Sequence, residues 1–141
     1  QDIMVSLGGR IAEEIIFSDI TTGASSDIKK ATQAARDMVT RYGMSKNIGV
    51  INYNSDDDEV FIGRDLAHTK SHSELISGEI DKEVRNIIDD CYEKAKAIIS
   101  EHTDVLHSCA KLLLEKEKIG RAEFESLFQQ TDNSPEAFFE N

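Results

Sequence analysis

Apolar residues recur every fourth position from almost the start of the chain: Ile3, Leu7, Ile11 and Ile15, flanked by Met4, Ala12 and Ile16. An α-helix turns once in 3.6 residues, so this spacing predicts a helix already in phase, with no cap before it. Gln1 is no initiator, and the expectation is a chain cut from something longer, whose N-terminal part packs against this helix. A polar break, Thr21-Thr22-Gly23-Ala24-Ser25-Ser26, comes next, with Ser25 as a natural cap. A second stripe follows in Ile28, Ala31, Ala35, Met38, Val39 and Tyr42, and Gly43 stops it.

Val50-Ile51-Asn52-Tyr53 and Glu59-Val60-Phe61-Ile62 flank an acidic turn, Asp56-Asp57-Asp58, a pattern that suggests a short hairpin. The strongest periodicity is Ile80, Val84, Ile87, Ile88, Cys91, Ala95, Ile98 and Ile99, which predicts one long amphipathic helix from about Ser73 to Glu101. His102-Thr103 breaks the phase. Val105, Leu106, Cys109, Leu112 and Leu113 then mark a third substantial helix, and a short one follows Gly120 around Glu123 to Phe128. Short connections between such helices bury their apolar faces against one another. The expected fold is mainly α and bundle-like, with that hairpin as its one candidate for β-structure. The expected domain covers residues 1–128, and residues 129–141 form a polar tail around Pro135 that frays.

Composition agrees with this picture. The 141 residues suffice for one domain with a core that needs no disulfide, and one Pro with eight Gly favours helices. Sixteen basic against 27 acidic residues leave a net charge of −11, which repels nucleic-acid phosphates and anionic lipid headgroups. Nucleic acid is therefore not an expected partner. Cys91 and Cys109 fall in helical apolar patterns, where small buried thiols are the ordinary reading and a redox pair the rarer one; a reducing compartment fits. No run approaches the roughly 18 apolar residues of a membrane span, so this segment is expected to be soluble.

Candidate chemistry is sparse. His68 and His72 have the i, i+4 spacing of a zinc pair, but Thr69 stands where an HExxH motif has its glutamate, and solvated histidines are the ordinary reading. His102 and His107, five apart, do not align on a helix. Two carboxylates stand out. Glu13 follows Gly8-Gly9 in an otherwise apolar helix, and Asp27 lies in the first turn of the second helix on the side of Ala31, Ala34 and Met38. Taken alone, both read as ordinary helix residues, Asp27 complementing the helix dipole.

Longer stretches add to that reading. Gly8-Gly9-Arg10-Ile11-Ala12-Glu13-Glu14-Ile15-Ile16-Phe17, then Thr21-Thr22-Gly23-Ala24-Ser25-Ser26-Asp27-Ile28, then Ala31-Thr32 and Ala35-Arg36-Asp37-Met38-Val39 resemble the FtsH peptidase pattern in order and spacing. The likeness continues through Tyr42-Gly43-Met44-Ser45, residues 59–65 and Ile80-Asp81-Lys82-Glu83-Val84, covering roughly residues 1–127. The FtsH family implies a zinc endopeptidase whose metal is held by an HExxH helix and a downstream aspartate, which corresponds to Asp27. It implies that Glu13 hydrogen-bonds a ligating histidine, as partners behind a metal ligand do.

The sequence contains no HExxH, so the resemblance implies that the catalytic base and two histidine ligands lie upstream and that this piece alone is inactive. It implies Zn2+ as cofactor, ATP used by a missing ATPase domain, a homo-hexamer, a membrane anchor upstream, protein substrates, and a place on the cytoplasmic side of the bacterial inner membrane. Ser26 stands where the family usually has asparagine, Gly78 interrupts the long helix at a cost of about 1 kcal/mol relative to Ala, and Ile76-Ser77 replaces the usual Thr-Ala. The alternative is a helical protein-interaction module without chemistry, which would have no use for Asp27.

Overall fold

The computed structural model of the protein describes residues 1–18, 21–53 and 73–131. Its elements are five helices: α1 (Asp2–Phe17), α2 (Ser25–Thr40), α3 (Glu74–Glu101), α4 (Thr103–Lys116) and α5 (Arg121–Thr131). The chain is mainly α, and no strand occurs among the described residues. The first arm expected of the hairpin, residues 50–53, is irregular. Val50 is 93% exposed, and the Tyr53 N–H donates to the Thr40 carbonyl at 2.7 Å, which returns the chain to the end of α2. The hairpin's turn and second arm, together with His68 and His72, lie outside the described residues.

The chain divides into two compact units, Gln1–Lys96 and Ala97–Asn141, the boundary falling within α3. In the first, α1 packs on α2, and each offers one row of buried residues four apart: Ile3, Leu7 and Ile11 from α1, Ala31, Ala35 and Val39 from α2. Rows at this spacing form the ridges by which helices interdigitate, and two alanines in the facing row let the backbones approach closely. Ile80 and Val84 of α3 are buried at the same spacing. Ile11, Val39 and Ile80 are the largest fully buried side chains, each contributing about 1.5–3 kcal/mol by leaving water.

The helix ends show where local chemistry yields to packing. Ser25 does not cap α2: it is the first helical residue, and Ala24 occupies the cap position without a side-chain hydrogen bond. Ala24 is buried, so the chain turns around it, with the Ser25 N–H on the Thr22 carbonyl at 3.1 Å and the Ile28 N–H on the Ala24 carbonyl at 3.0 Å. At the other end α2 stops at Thr40, leaving Tyr42 outside the helix and 59% exposed, and Ile28 is 44% exposed, so neither belongs to the buried stripe. Gly43 has φ +61°, and the Met44 N–H closes a six-residue loop onto the Met38 carbonyl at 2.9 Å, the left-handed stop that glycine permits.

Longer polar side chains fasten α3 to this unit. Ser45 Oγ accepts the N–H groups of Asn47 and Ile48 at 3.2 and 3.3 Å and donates to Glu83 at 2.6 Å, while the Asn47 amide donates to the other Glu83 oxygen at 2.8 Å. These bonds, the Ser45 hydroxyl foremost, hold the Glu83 carboxyl below its usual range. Glu14 makes the second fastening. Its carboxylate accepts from the Tyr92 hydroxyl and, at 3.0 Å, from Lys96, with Arg10 at 3.8 Å one turn back on α1. The Tyr92 hydroxyl, then Lys96, lowers the Glu14 carboxyl, and Glu14 in turn raises the Tyr92 phenol. The long helix opens beside Ser73, whose Oγ accepts the Ile76 N–H at 3.3 Å.

In the second unit α4 packs on α5, with Val105 and Leu127 buried. His102 and Phe124 meet Phe128 edge-on, at ring separations of 5.2 and 5.4 Å. Glu123 reaches back to the Gly120 N–H at 3.0 Å and receives Lys116 at 2.6 Å, which sets the start of α5 two residues before the expected one. The helix also runs on to Thr131, so residues 129–131, expected in the tail, are helical.

Two measurements check this account. A Cβ at Gly43 would lie 2.9 Å from the Val50 Cα in a left-handed conformation, so Gly43→Ala is expected to cost about 2 kcal/mol in urea denaturation. Because the folded Glu14 carboxyl is lowered, the unfolded chain binds more protons through the acid carboxylate range, and the stability Glu14 adds at neutral pH is lost as pH falls through its folded value. Tyr92→Phe is therefore expected to lower the denaturation midpoint at pH 7, with the gap to wild type closing on acidification; a gap independent of pH contradicts the assignment.

Candidate functional site

Glu13 and Glu14 are consecutive on α1, so their side chains leave the helix about 100° apart. Glu14 turns to α3, as described, and Glu13 turns to the segment between α1 and α2. The Thr21 hydroxyl donates to Glu13 Oε2 at 2.9 Å, and Thr21 Oγ1 in turn accepts the Gly23 N–H at 3.2 Å. Glu13 is half-buried. Gly23 must be small here: a Cβ would sit 3.3 Å from Thr21 Oγ1 and 3.6 Å from Glu13 Oε1. Beyond Gly23, the buried Ala24 anchors the first turn of α2, and the Asp27 N–H donates to its carbonyl at 3.1 Å.

Asp27 therefore stands in the first helical turn, where the unpaired N–H groups favour an anion. Its side chain is 42% exposed, so it is not turned into packed surface as the sequence had suggested. Among the described residues its one ion-pair partner is Lys30, at 3.4 Å and itself 71% exposed, a contact that water easily replaces. The structure thus ties Glu13 to the segment leading to Asp27, through Thr21 and Gly23, and no hydrogen bond joins the two carboxylates among the described residues.

The remaining candidates stand apart. Cys91 and Cys109 are free and half-buried, and His107 is exposed. His102 is half-buried and lines an apolar cavity of about 300 Å3 with Ile98, Val105, Leu106 and Phe128. Sequence reasoning missed two groups of residues. Thr21 and Gly23 were read as a break between helices and as part of the family pattern, with no role of their own, and Glu14 was passed over beside Glu13. The signal for the latter was a second carboxylate in an apolar run, in phase with Arg10 one turn earlier.

A hydrolytic zinc ion takes three protein donors of nitrogen or oxygen type and keeps a position for water. Asp27 fits such a set as one anionic donor, since its carboxylate is accessible and weakly engaged. Among the described residues no three His, Cys, Asp or Glu side chains group to hold a metal, so Asp27 does not form a complete site with them. No helix of the described residues is long and apolar enough to cross a membrane.

Comparison with known proteins gives this arrangement its setting. The chain is 48% identical over 127 residues to an ATP-dependent zinc metalloprotease FtsH of Caldicellulosiruptor bescii, covering 90% of this chain and 21% of that protein. A protein of the same name from Ruminiclostridium cellulolyticum is 49% identical over 129 residues, 92% of this chain and 21% of its own length. The ATP-dependent zinc metalloprotease FtsH 1 of Thermomicrobium roseum is 41% identical over 134 residues, 95% of this chain and 21% of its own. The chain thus spans about a fifth of the length of the curated relatives it matches. The family model for Peptidase family M41 matches residues 1–127, from Gln1, just before α1, through the segment holding Glu13, Thr21 and Asp27 to the buried Leu127 of α5. On that match, and with zinc metalloproteases at more than 40% identity along nine-tenths of its length, the chain belongs to peptidase family M41.

Proposed function

We propose that this chain is the C-terminal part of the peptidase domain of an ATP-dependent zinc metalloendopeptidase and that it supplies the aspartate ligand, Asp27. The observation that carries the reading is the state of that side chain: a half-exposed carboxylate at a helix N-terminus, held among the described residues by one weak contact to Lys30, in a chain of peptidase family M41. A carboxylate kept for structure alone is ordinarily engaged by stronger partners, as Glu14 and Glu83 are. Family membership also favours the peptidase over a chemically inert interaction module.

The peptidase part comprises residues 1–128, and residues 129–141 continue beyond it. Two histidine ligands and the glutamate base belong to an HExxH segment outside this sequence, so the chain alone does not cleave peptides. Bound zinc supplies a polarised scissile carbonyl and a water of lowered pKa. Asp27 contributes a fixed negative charge to the donor set, and its backbone, tied to Ala24, sets where that charge stands. Glu13 turns a carboxylate towards the same segment, where its role is to orient a ligand histidine. The whole protein then uses ATP to deliver protein substrates, assembles as a hexamer and is anchored by an upstream span, with this part on the cytoplasmic side of a bacterial inner membrane.

Asp27→Asn, in a protein that carries the chain together with its HExxH segment, is expected to lower casein proteolysis at least a hundredfold while ATP turnover persists; undiminished proteolysis refutes the ligand assignment. The chain alone is expected to take up less than a tenth of an equivalent of zinc from micromolar solution, read by atomic absorption after desalting. One tightly held equivalent contradicts the division of the site.

A further inference from the structure

We propose that Thr21 is a positioning residue for the metal site, holding both Glu13 and the segment that presents Asp27 through a single hydroxyl. The inference rests on the reading of Asp27 as a ligand and adds a residue to it. The Thr21 oxygen is used twice, donating to Glu13 Oε2 at 2.9 Å and accepting the Gly23 N–H at 3.2 Å. A hydroxyl that accepts one hydrogen bond while donating another is polarised in the direction of the carboxylate, which strengthens the charge-assisted bond to Glu13. Thr21 is exposed, so burial does not hold it in place; the two hydrogen bonds do.

The consequence runs in both directions from that oxygen. Towards α1, the bond occupies Glu13 Oε2 and fixes the rotation of the carboxylate, leaving Oε1 beside Gly23 with its lone pairs for a further donor such as a ligand histidine. Towards α2, the bond to Gly23 fixes the backbone one residue before the buried Ala24, whose carbonyl receives the N–H groups of Asp27 and Ile28. Glu13 stands on a helix whose other face is buried through Ile3, Leu7 and Ile11, so the tie refers the head of α2 to a rigid support. Valine keeps the shape of threonine and loses both bonds; serine keeps the hydroxyl.

The test uses the zinc-loaded protein that carries this chain together with its HExxH segment, and reads the rate at which a chelator removes zinc and the melting temperature of the metal-free form. Thr21→Val is expected to release zinc at least tenfold faster, with Thr21→Ser within about twofold of wild type and the metal-free melting temperatures unchanged. Gly23→Ala, which presses a methyl between Thr21 Oγ1 and Glu13 Oε1, is expected to act as Thr21→Val does, and it decides the matter if the valine variant melts early. Zinc release from both Thr21→Val and Gly23→Ala at the wild-type rate overturns the proposal, as does an equal loss in Thr21→Ser and Thr21→Val. Asp27→Asn in the same assay separates the two claims. If it sheds zinc while Thr21→Val does not, only the role of Thr21 falls. If it retains zinc, the ligand assignment falls and the role of Thr21 with it.

Discussion

The face-to-face burial of two four-residue rows, Ile3, Leu7 and Ile11 against Ala31, Ala35 and Val39, is the constraint on which the rest of the structure depends. Once α1 and α2 are locked along those rows, the ends of the segment between them are set. The chain leaves Phe17 through the left-handed Ser18, and α2 is entered at the buried Ala24. Glu13 is carried to one side of this path and Asp27 to its far end, without either carboxylate taking part in the packing. The packing between α1 and α2 falls on these apolar side chains.

Two kinds of carboxylate coexist in this unit, and their surroundings separate them. Glu14 and Glu83 each accept two hydrogen bonds from other elements, which lowers their carboxyls and fastens α1 and the turn after α2 to α3. Glu13 accepts one, from a hydroxyl on the segment it supports, and Asp27 meets only an exposed lysine among the described residues. The first two are engaged by partners that hold the fold, whereas the second two are engaged more weakly and keep more of their acceptor capacity. That contrast, within a chain of peptidase family M41, is the physical ground of the proposal that Asp27 binds a metal.

Much of this architecture was legible in the residues. Four-residue spacing produced α1, mixed three- and four-residue spacing produced α2, and the long run from Ile80 to Ile99 produced α3 to within a residue at its start, because amphipathic periodicity reports burial directly. Local end signals were less faithful. Ser25 has the chemistry of a cap, yet burial of Ala24 moved the turn one residue earlier; α5 begins at Arg121 because Glu123 reaches Gly120, a contact no periodicity reveals. Residues 50–53 carry the β-branched and aromatic side chains of a strand, but Val50 faces water and Tyr53 is bonded back to Thr40. At the site, Glu13 and Asp27 came from resemblance to a family pattern, while Thr21 could emerge only once the two helices were placed, since its partners are eight residues back and two ahead.

The account is tested most directly by anomalous diffraction at the zinc absorption edge, from crystals of the metal-loaded protein carrying this chain with its HExxH segment. The predicted result is a single strong peak about 2.0–2.2 Å from a carboxylate oxygen of Asp27, with two histidine nitrogens completing the protein donors. A zinc peak coordinated elsewhere, with Asp27 facing solvent, would contradict it.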